Sequence, residues 1–133
     1  MHLIQCIDEK DGLSFCGRRL SRDCRVIEHI LSITNGHSLW VHPYSSKLFS
    51  AHAVIVDEAF QNKAGQGDYC FSEITPVLLN NENLESVILY CWNRSYPATV
   101  KFDRTVLRSL RLTYTEEFSG NSHEIITMQR YTP

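Results

Sequence analysis

An unbroken apolar run in the second half of the chain constrains the fold more than any other feature. Residues 87–92 read Val-Ile-Leu-Tyr-Cys-Trp, with no polar side chain between them. A strand that is apolar on both sides is normally covered on both faces, as in the parallel sheets of α/β proteins. The run therefore predicts a central strand, with other elements packed above and below the sheet.

The remaining sequence alternates between short strand patterns and short helix patterns. Further strands are predicted over 3–7, 39–41, 53–56, 69–71, 100–102, 110–114 and 123–131, and a loop over 13–20. Apolar residues at 26, 27, 30 and 31 repeat at helical spacing, which predicts a helix over 22–34 with Ser21 as its N-cap. Shorter helices are predicted over 43–50 and over 58–64, the second capped by Asp57.

This order of elements predicts the fold class. Strands that alternate with helices build a mostly parallel sheet. The last two strands follow each other across Ser119-Gly120-Asn121 without a helix, so they form an antiparallel hairpin. The chain of 133 residues is thus predicted to be a single domain over 1–133. Its predicted class is α/β, a mixed and mostly parallel sheet with short helices on both faces and a C-terminal antiparallel hairpin.

Charge and cysteine content limit the compartment and the partners. The net charge is −2, whereas nucleic-acid-binding domains are usually basic, so no direct contact with nucleic acid is expected. The five cysteines are odd in number and form no CxxC pair, which indicates a reduced, cytoplasmic protein. No stretch approaches the roughly 20 apolar residues of a membrane helix, so no membrane association is expected. The six histidines form neither HExxH nor a zinc spacing, and no metal site is predicted.

Several segments, taken in order, carry a resemblance to a known family. The first half has Leu-Ile-Gln-Cys-Ile-Asp over 3–8, then Gly12-Leu13, and Leu20-Ser21-Arg22-Asp23 ahead of the helix. The second half has Tyr-Pro-Ala-Thr-Val-Lys-Phe over 96–102, followed by related segments at 116–118, 121–123 and 130–131. In this order the chain resembles the dihydrofolate reductase family in its first and last thirds. The resemblance implies that Asp23 holds the substrate and that the loop over 12–20 closes above it.

The chain departs from the family where that family binds its cofactor. His42-Pro43-Tyr44-Ser45 replaces a Gly-Arg-x-Thr segment, and Asp57-Glu58 follow Val56 where paired glycines are expected. Proline offers no N–H to a phosphate, and two carboxylates repel a pyrophosphate. The chain is also short for the family, with the missing length in the middle. A shortened form that lacks the cofactor motifs and binds no cofactor is therefore predicted.

Charged residues provide the candidate sites. Asp23 lies on the apolar stripe of the first helix and is a candidate for binding a cationic heterocycle or a partner's arginine, unless it only favours the helix dipole. Arg18, Arg19, Arg22 and Arg25 are candidate anion-binding residues near the same helix start, with a solvated charged surface as the alternative. The predicted partner-binding residues are Asp57, Glu58, Asp68, Glu73, Tyr114, Glu116 and Glu117.

Three functions follow from these features. The main hypothesis is a non-catalytic protein-binding module, a small cytosolic immunity or antitoxin protein whose acidic surface binds a basic nuclease toxin. In that hypothesis no residue is catalytic. The alternatives are a divergent NADPH-dependent reductase related to dihydrofolate reductase, and a regulator that binds a nucleotide or phosphate through the arginines.

Overall fold

A computed structural model of the protein describes residues 1–49, 52, 54–76 and 84–133. The helices in these ranges are α1 Cys24–Ile33 and α2 Phe60–Lys63, and two 3₁₀ segments cover Pro43–Phe49 and Arg104–Leu107. The strands are β1 His2–Ile7, β2 Gly12–Phe15, β3 Arg18–Arg19, β4 Leu39–Val41, β5 Ile55–Val56, β6 Tyr69–Phe71, β7 Ser86–Cys91, β8 Val100–Lys101, β9 Arg111–Phe118 and β10 Ile126–Thr132. None of the helices in the described ranges is long and apolar enough to cross a membrane.

Seven of the strands form one mixed sheet in the order β5-β4-β6-β1-β7-β10-β9. The first five of these run parallel, whereas β10 pairs antiparallel with both β7 and β9. Val87, Ile88, Leu89 and Tyr90 of β7 are fully buried. The predictions of a central strand, a mostly parallel sheet and a C-terminal antiparallel hairpin are therefore confirmed.

Helices and a second sheet cover the two faces of the large sheet. On one face Val26 and Ile30 of α1 pack against β1, β7 and the first 3₁₀ segment. On the other face Phe60 of α2 packs on Leu3, and Phe102 packs on Ile7. Apolar side chains of β7 alternate between these two layers, which explains why the run contains no polar residue.

A small antiparallel sheet stands where the sequence predicts a loop over 13–20. Strand β2 pairs with β3 and with β8. The turn between β2 and β3 holds Cys16 at φ 47° and Gly17 at φ 75°. Positive φ at both central residues is the geometry of the tight hairpin turn. The loop prediction is wrong, and the segment is a hairpin next to the carboxyl end of β1.

Two further predictions need correction. Helix α1 begins at Cys24, and its N-cap is Asp23 rather than Ser21. Strand β9 was predicted to be half-buried from its alternating pattern, but Leu112 and Tyr114 are 48% and 50% exposed. In the described part of the chain β9 is the edge strand beside β10, and these two side chains stay about half exposed on it.

Candidate functional site

A cleft of about 570 Å³ lies between α1, the first 3₁₀ segment and the loop that joins β9 to β10. Its apolar lining comes from Ile27, Leu31 and Leu48, and exposed Arg22 and Lys47 supply positive charge. A second cleft of about 510 Å³ continues along the C-terminal half of α1 and shares Leu31 with the first. The two clefts give α1 a groove whose lining combines apolar side chains, the cations Arg22 and Lys47, and the carboxylates of Asp23 and Glu28.

Asp23 lines this groove, but its carboxylate is already engaged. Its Oδ1 accepts the N–H of Arg25 at 2.9 Å, which caps the helix. The carboxylate also accepts the N–H groups of Asn121 and Ser122 at 2.9 Å each. Burial alone raises the pKa of Asp23, yet these hydrogen bonds outweigh burial and hold its pKa far below the usual range. Asp23 therefore joins the helix to the β9–β10 loop and has no lone pair to offer a cationic heterocycle.

The β9–β10 loop brings a histidine onto Asp23. His123 Nδ1 lies 3.0 Å from Asp23 Oδ2, and both residues are buried. The other ring nitrogen, Nε2, lies 3.1 Å from Ser21 Oγ and 3.1 Å from the Tyr96 hydroxyl. The imidazole stacks on Trp92 at a centroid distance of 4.7 Å. This cluster is absent from the sequence-based predictions, because no local motif links residues about one hundred positions apart.

Gly120 is required for this packing. A Cβ atom at Gly120 would lie 2.5 Å from the carbonyl oxygen of His123 and 2.7 Å from Asp23 Oδ2. We expect Gly120→Ala to lower the free energy of unfolding by roughly 1–3 kcal/mol, because the loop must move away from the carboxylate. Urea unfolding measures the change. Gly65→Ala is the matched control, since its nearest atom would be 3.7 Å away, and equal losses in the two variants would contradict the packing argument.

A second polar cluster closes the carboxyl end of β6. The Arg19 guanidinium binds both oxygens of Glu73 in a forked arrangement, with Nε–Oε1 and Nη2–Oε2 distances of 2.9 Å. Ser45 Oγ donates to the same carboxylate at 2.9 Å. The guanidinium carbon also lies 4.5 Å from the ring centre of Tyr44. The β2–β3 hairpin is thereby fastened across the edge of the parallel sheet where α/β proteins usually bind ligands.

The four arginines do not converge on a common anion site. Arg19 is bound to Glu73, and Arg22 lines the groove beside α1. Arg18 and Arg25 are exposed, with Arg25 3.5 Å from Glu28 on the same helix. The structure therefore gives each of the four arginines different surroundings.

The predicted acidic partner-binding residues also lie apart. Asp57 follows the edge strand β5, whereas Tyr114, Glu116 and Glu117 belong to the opposite edge strand β9. Some of them have internal partners: Asp57 binds Lys63 at 2.6 Å, Asp68 accepts the Trp40 indole N–H at 3.0 Å, and Glu116 binds His29 at 2.7 Å. Glu58 and Glu117 are exposed, and Glu73 is buried. These residues do not form one continuous acidic surface.

His29 connects α1 to the sheet on the same face. Its Nδ1 lies 2.7 Å from the Tyr90 hydroxyl, and its ring stacks on Phe118 at 4.7 Å. Burial raises the pKa of Tyr90 well above the ordinary value for a tyrosine. The phenol therefore stays protonated and serves as a structural hydrogen-bond partner.

Comparisons with known proteins locate the fold. No family model matches the sequence, and no curated protein matches it. Among solved structures, the chain is similar to a dihydrofolate reductase from Enterococcus faecalis complexed with NADP(H) and RAB-propyl, with a TM-score of 0.63 and 10% sequence identity. The match covers 98% of this chain and 94% of that chain.

The main functional hypothesis, a non-catalytic immunity protein, is wrong on this comparison. It rested partly on the idea of a shortened scaffold, yet the similarity to the reductase covers 94% of that enzyme's chain. Nothing in the described residues points to a toxin. The resemblance inferred from the order of the segments is confirmed: this chain has the dihydrofolate reductase fold.

Proposed function

We propose that this chain is a divergent reductase-type protein that binds a flat organic substrate in the groove beside α1. The observation that carries the proposal is the 570 Å³ cleft, whose lining combines an apolar wall with two exposed cations and the exposed carboxylate of Glu28, in a chain whose fold matches a reductase over 98% of its length. Ligand sites are typically concave and largely apolar, with a few polar groups that fix orientation.

The lining indicates the chemistry of the ligand. Ile27, Leu31 and Leu48 offer an apolar wall to an aromatic or aliphatic body. Arg22 and Lys47 offer charge to a carboxylate on the same molecule. Because the Asp23 carboxylate is fully hydrogen-bonded, it does not provide a counter-ion for a protonated ring. The substrate class that fits is an uncharged heteroaromatic ring system with an acidic tail, of which dihydrofolate is a representative probe.

The cofactor side of the fold does not fit a dinucleotide in the described residues. A pyrophosphate is bound by free N–H groups and cations. At the carboxyl ends of β4, β5 and β6 the chain presents Pro43, Asp57 and Glu73. The nearby cation Arg19 and the hydroxyl of Ser45 are already bound to Glu73. No hydride-transfer step is therefore assigned to these residues. A titration with NADPH tests directly whether the protein uses this cofactor.

Binding of dihydrofolate, followed by tryptophan fluorescence, tests the substrate side. We expect saturable binding that Lys47→Glu weakens by about five- to ten-fold, since the reversal places a negative charge near the ligand's carboxylate. Lys101→Glu is the matched control, because Lys101 is exposed on β8, outside the groove. Absence of saturable binding, or equal weakening in both variants, would refute the proposed site.

A separate titration with NADPH examines the reductase reaction itself. Loss of NADPH absorbance only when dihydrofolate is present would establish reduction. Binding of dihydrofolate without NADPH oxidation would show that the protein binds this substrate but does not reduce it.

A further inference from the structure

The Asp23–His123 pair fixes which nitrogen of the imidazole carries the proton. An ionised carboxylate only accepts hydrogen bonds, so the proton between the two groups belongs to His123 Nδ1. In the neutral imidazole Nε2 is then an acceptor. Ser21 Oγ lies 3.1 Å from this Nε2, within reach for donating its hydroxyl proton. The order of groups is therefore carboxylate, imidazole and serine hydroxyl.

In a nucleophilic site the base and its orienting carboxylate are buried and the nucleophile is exposed, and the three groups of this array differ in burial in the same way. The side chains of Asp23 and His123 are 0% and 1% exposed, so bulk water does not compete for their hydrogen bond. The stacked ring of Trp92 holds the imidazole plane. Ser21, in contrast, is partly exposed, and the chain continues from it directly into Arg22 at the groove. Ser21 thus lies at the boundary between this buried pair and the solvent-exposed start of the groove.

We propose that Ser21, His123 and Asp23 form a nucleophilic triad for the hydrolysis of small carboxylic esters. Such triads are recognised by the roles and geometry of their members and occur on unrelated folds. Because the carboxylate of Asp23 is fully hydrogen-bonded, it does not bind a cationic ligand. A carboxylate held in this way is suited to orienting the imidazole of His123. The inference goes beyond the proposed function, because it concerns a covalent reaction at Ser21 and needs neither dihydrofolate nor NADPH.

The reaction is an acyl transfer in two stages. Ser21 Oγ attacks the ester carbonyl carbon while its proton passes to His123 Nε2. The bond from carbon to the leaving oxygen then breaks, and Nε2 returns the proton to the departing alcohol. A water molecule next attacks the acyl-serine and gives a proton to Nε2, which passes it back to Ser21 as the carboxylic acid leaves.

The Tyr96 hydroxyl is a further neighbour of His123 Nε2. It lies 3.1 Å from this nitrogen and can donate its proton to it. The Tyr96 hydroxyl also competes with Ser21 for the lone pair of Nε2 in the resting protein, so its removal leaves that lone pair to Ser21.

Covalent labelling of the folded protein with a fluorophosphonate probe tests the triad. We expect mass spectrometry to place the label on Ser21, and p-nitrophenyl acetate to be hydrolysed at a rate that Ser21→Ala lowers by about 100-fold or more. Ser46→Ala is the control, since within the described residues its hydroxyl bonds the Pro43 carbonyl and no imidazole, and labelling should be unchanged. Ser21→Ala removes a single partly exposed hydroxyl, so circular dichroism should show an intact fold.

Two further variants separate catalysis from structure. His123→Gln should abolish labelling, whereas Tyr96→Phe should label at least as fast as the original protein. A label on Tyr96, no label on Ser21 of the folded protein, or labelling of Ser21 that is no faster than that of Ser46 would each overturn the proposal. Since the unsubstituted protein alone gives the last two results, the test does not depend on His123→Gln being stable. Failure of labelling would leave dihydrofolate binding unaffected, so the two proposals fail separately.

Discussion

Arg19→Ala is expected to lower the free energy of unfolding by about 3 kcal/mol at pH 7, because it leaves the Glu73 charge buried without its partner. The Glu73 side chain is only 6% exposed, while that of Arg19 is 24% exposed. The forked hydrogen bonds to both carboxylate oxygens are lost together, which leaves Ser45 as the one remaining side-chain donor to Glu73 among the described residues. Urea unfolding at constant pH measures the loss.

The neighbouring arginine supplies a matched control for this prediction. Arg18 lies on the same short strand and is exposed, so Arg18→Ala should change stability by less than about 0.5 kcal/mol. Arg19→Lys should recover only part of the loss, because an ammonium cannot form the forked contact. In the double variant Arg19→Ala/Glu73→Ala, the cost should fall below that of Arg19→Ala alone. Equal stability of the Arg18 and Arg19 variants would show that water reaches Glu73 and that the pair does not hold the hairpin.

Elements with a strong local pattern could be predicted from the sequence. The apolar run over 87–92 requires cover on two faces, and the side chains of β7 are buried alternately in the layers on its two faces. The spacing of Val26 and Ile30 likewise predicts α1, because both side chains must face the same layer. The hairpin at β2–β3 was missed because its turn contains Cys16-Gly17 rather than the asparagine or aspartate usual in such turns.

The candidate site depends on contacts that no local pattern encodes. Asp23 and His123 are one hundred positions apart, and they meet only because the β9–β10 loop folds onto the start of α1. The sequence pattern did not reveal that loop N–H groups occupy the carboxylate of Asp23. Arg19 was grouped with Arg18 and Arg22 because the three are close in sequence. Its partner is Glu73, which follows β6 and is 54 positions away in the sequence. Charge clusters in sequence are thus a poor guide to which charges remain free.

The second large effect is expected for Asp23→Asn, which should lower the free energy of unfolding by roughly 3 kcal/mol at pH 7. Asparagine keeps an oxygen that can cap α1, but its NH₂ group then faces the N–H groups of the loop, so donor meets donor. The loss should appear in urea unfolding. The same variant should slow Ser21 labelling, because the neutral amide no longer fixes the proton on His123 Nδ1.

The pH dependence gives this prediction a second measurement. Because hydrogen bonds lower the pKa of Asp23 in the folded protein, its contribution to stability is present above the unfolded-state pKa of about 3.9. That contribution is lost as the pH falls from this value toward the lower folded-state pKa. The stability difference between the original protein and Asp23→Asn should therefore be full at pH 7 and shrink below about pH 4. Asp103→Asn is the control, because it alters the cap of the exposed second 3₁₀ segment, and it should change the free energy of unfolding much less at pH 7 and below pH 4. If the stability difference for Asp23→Asn stayed constant down to pH 2, the Asp23 carboxylate would not be ionised and bound to the loop.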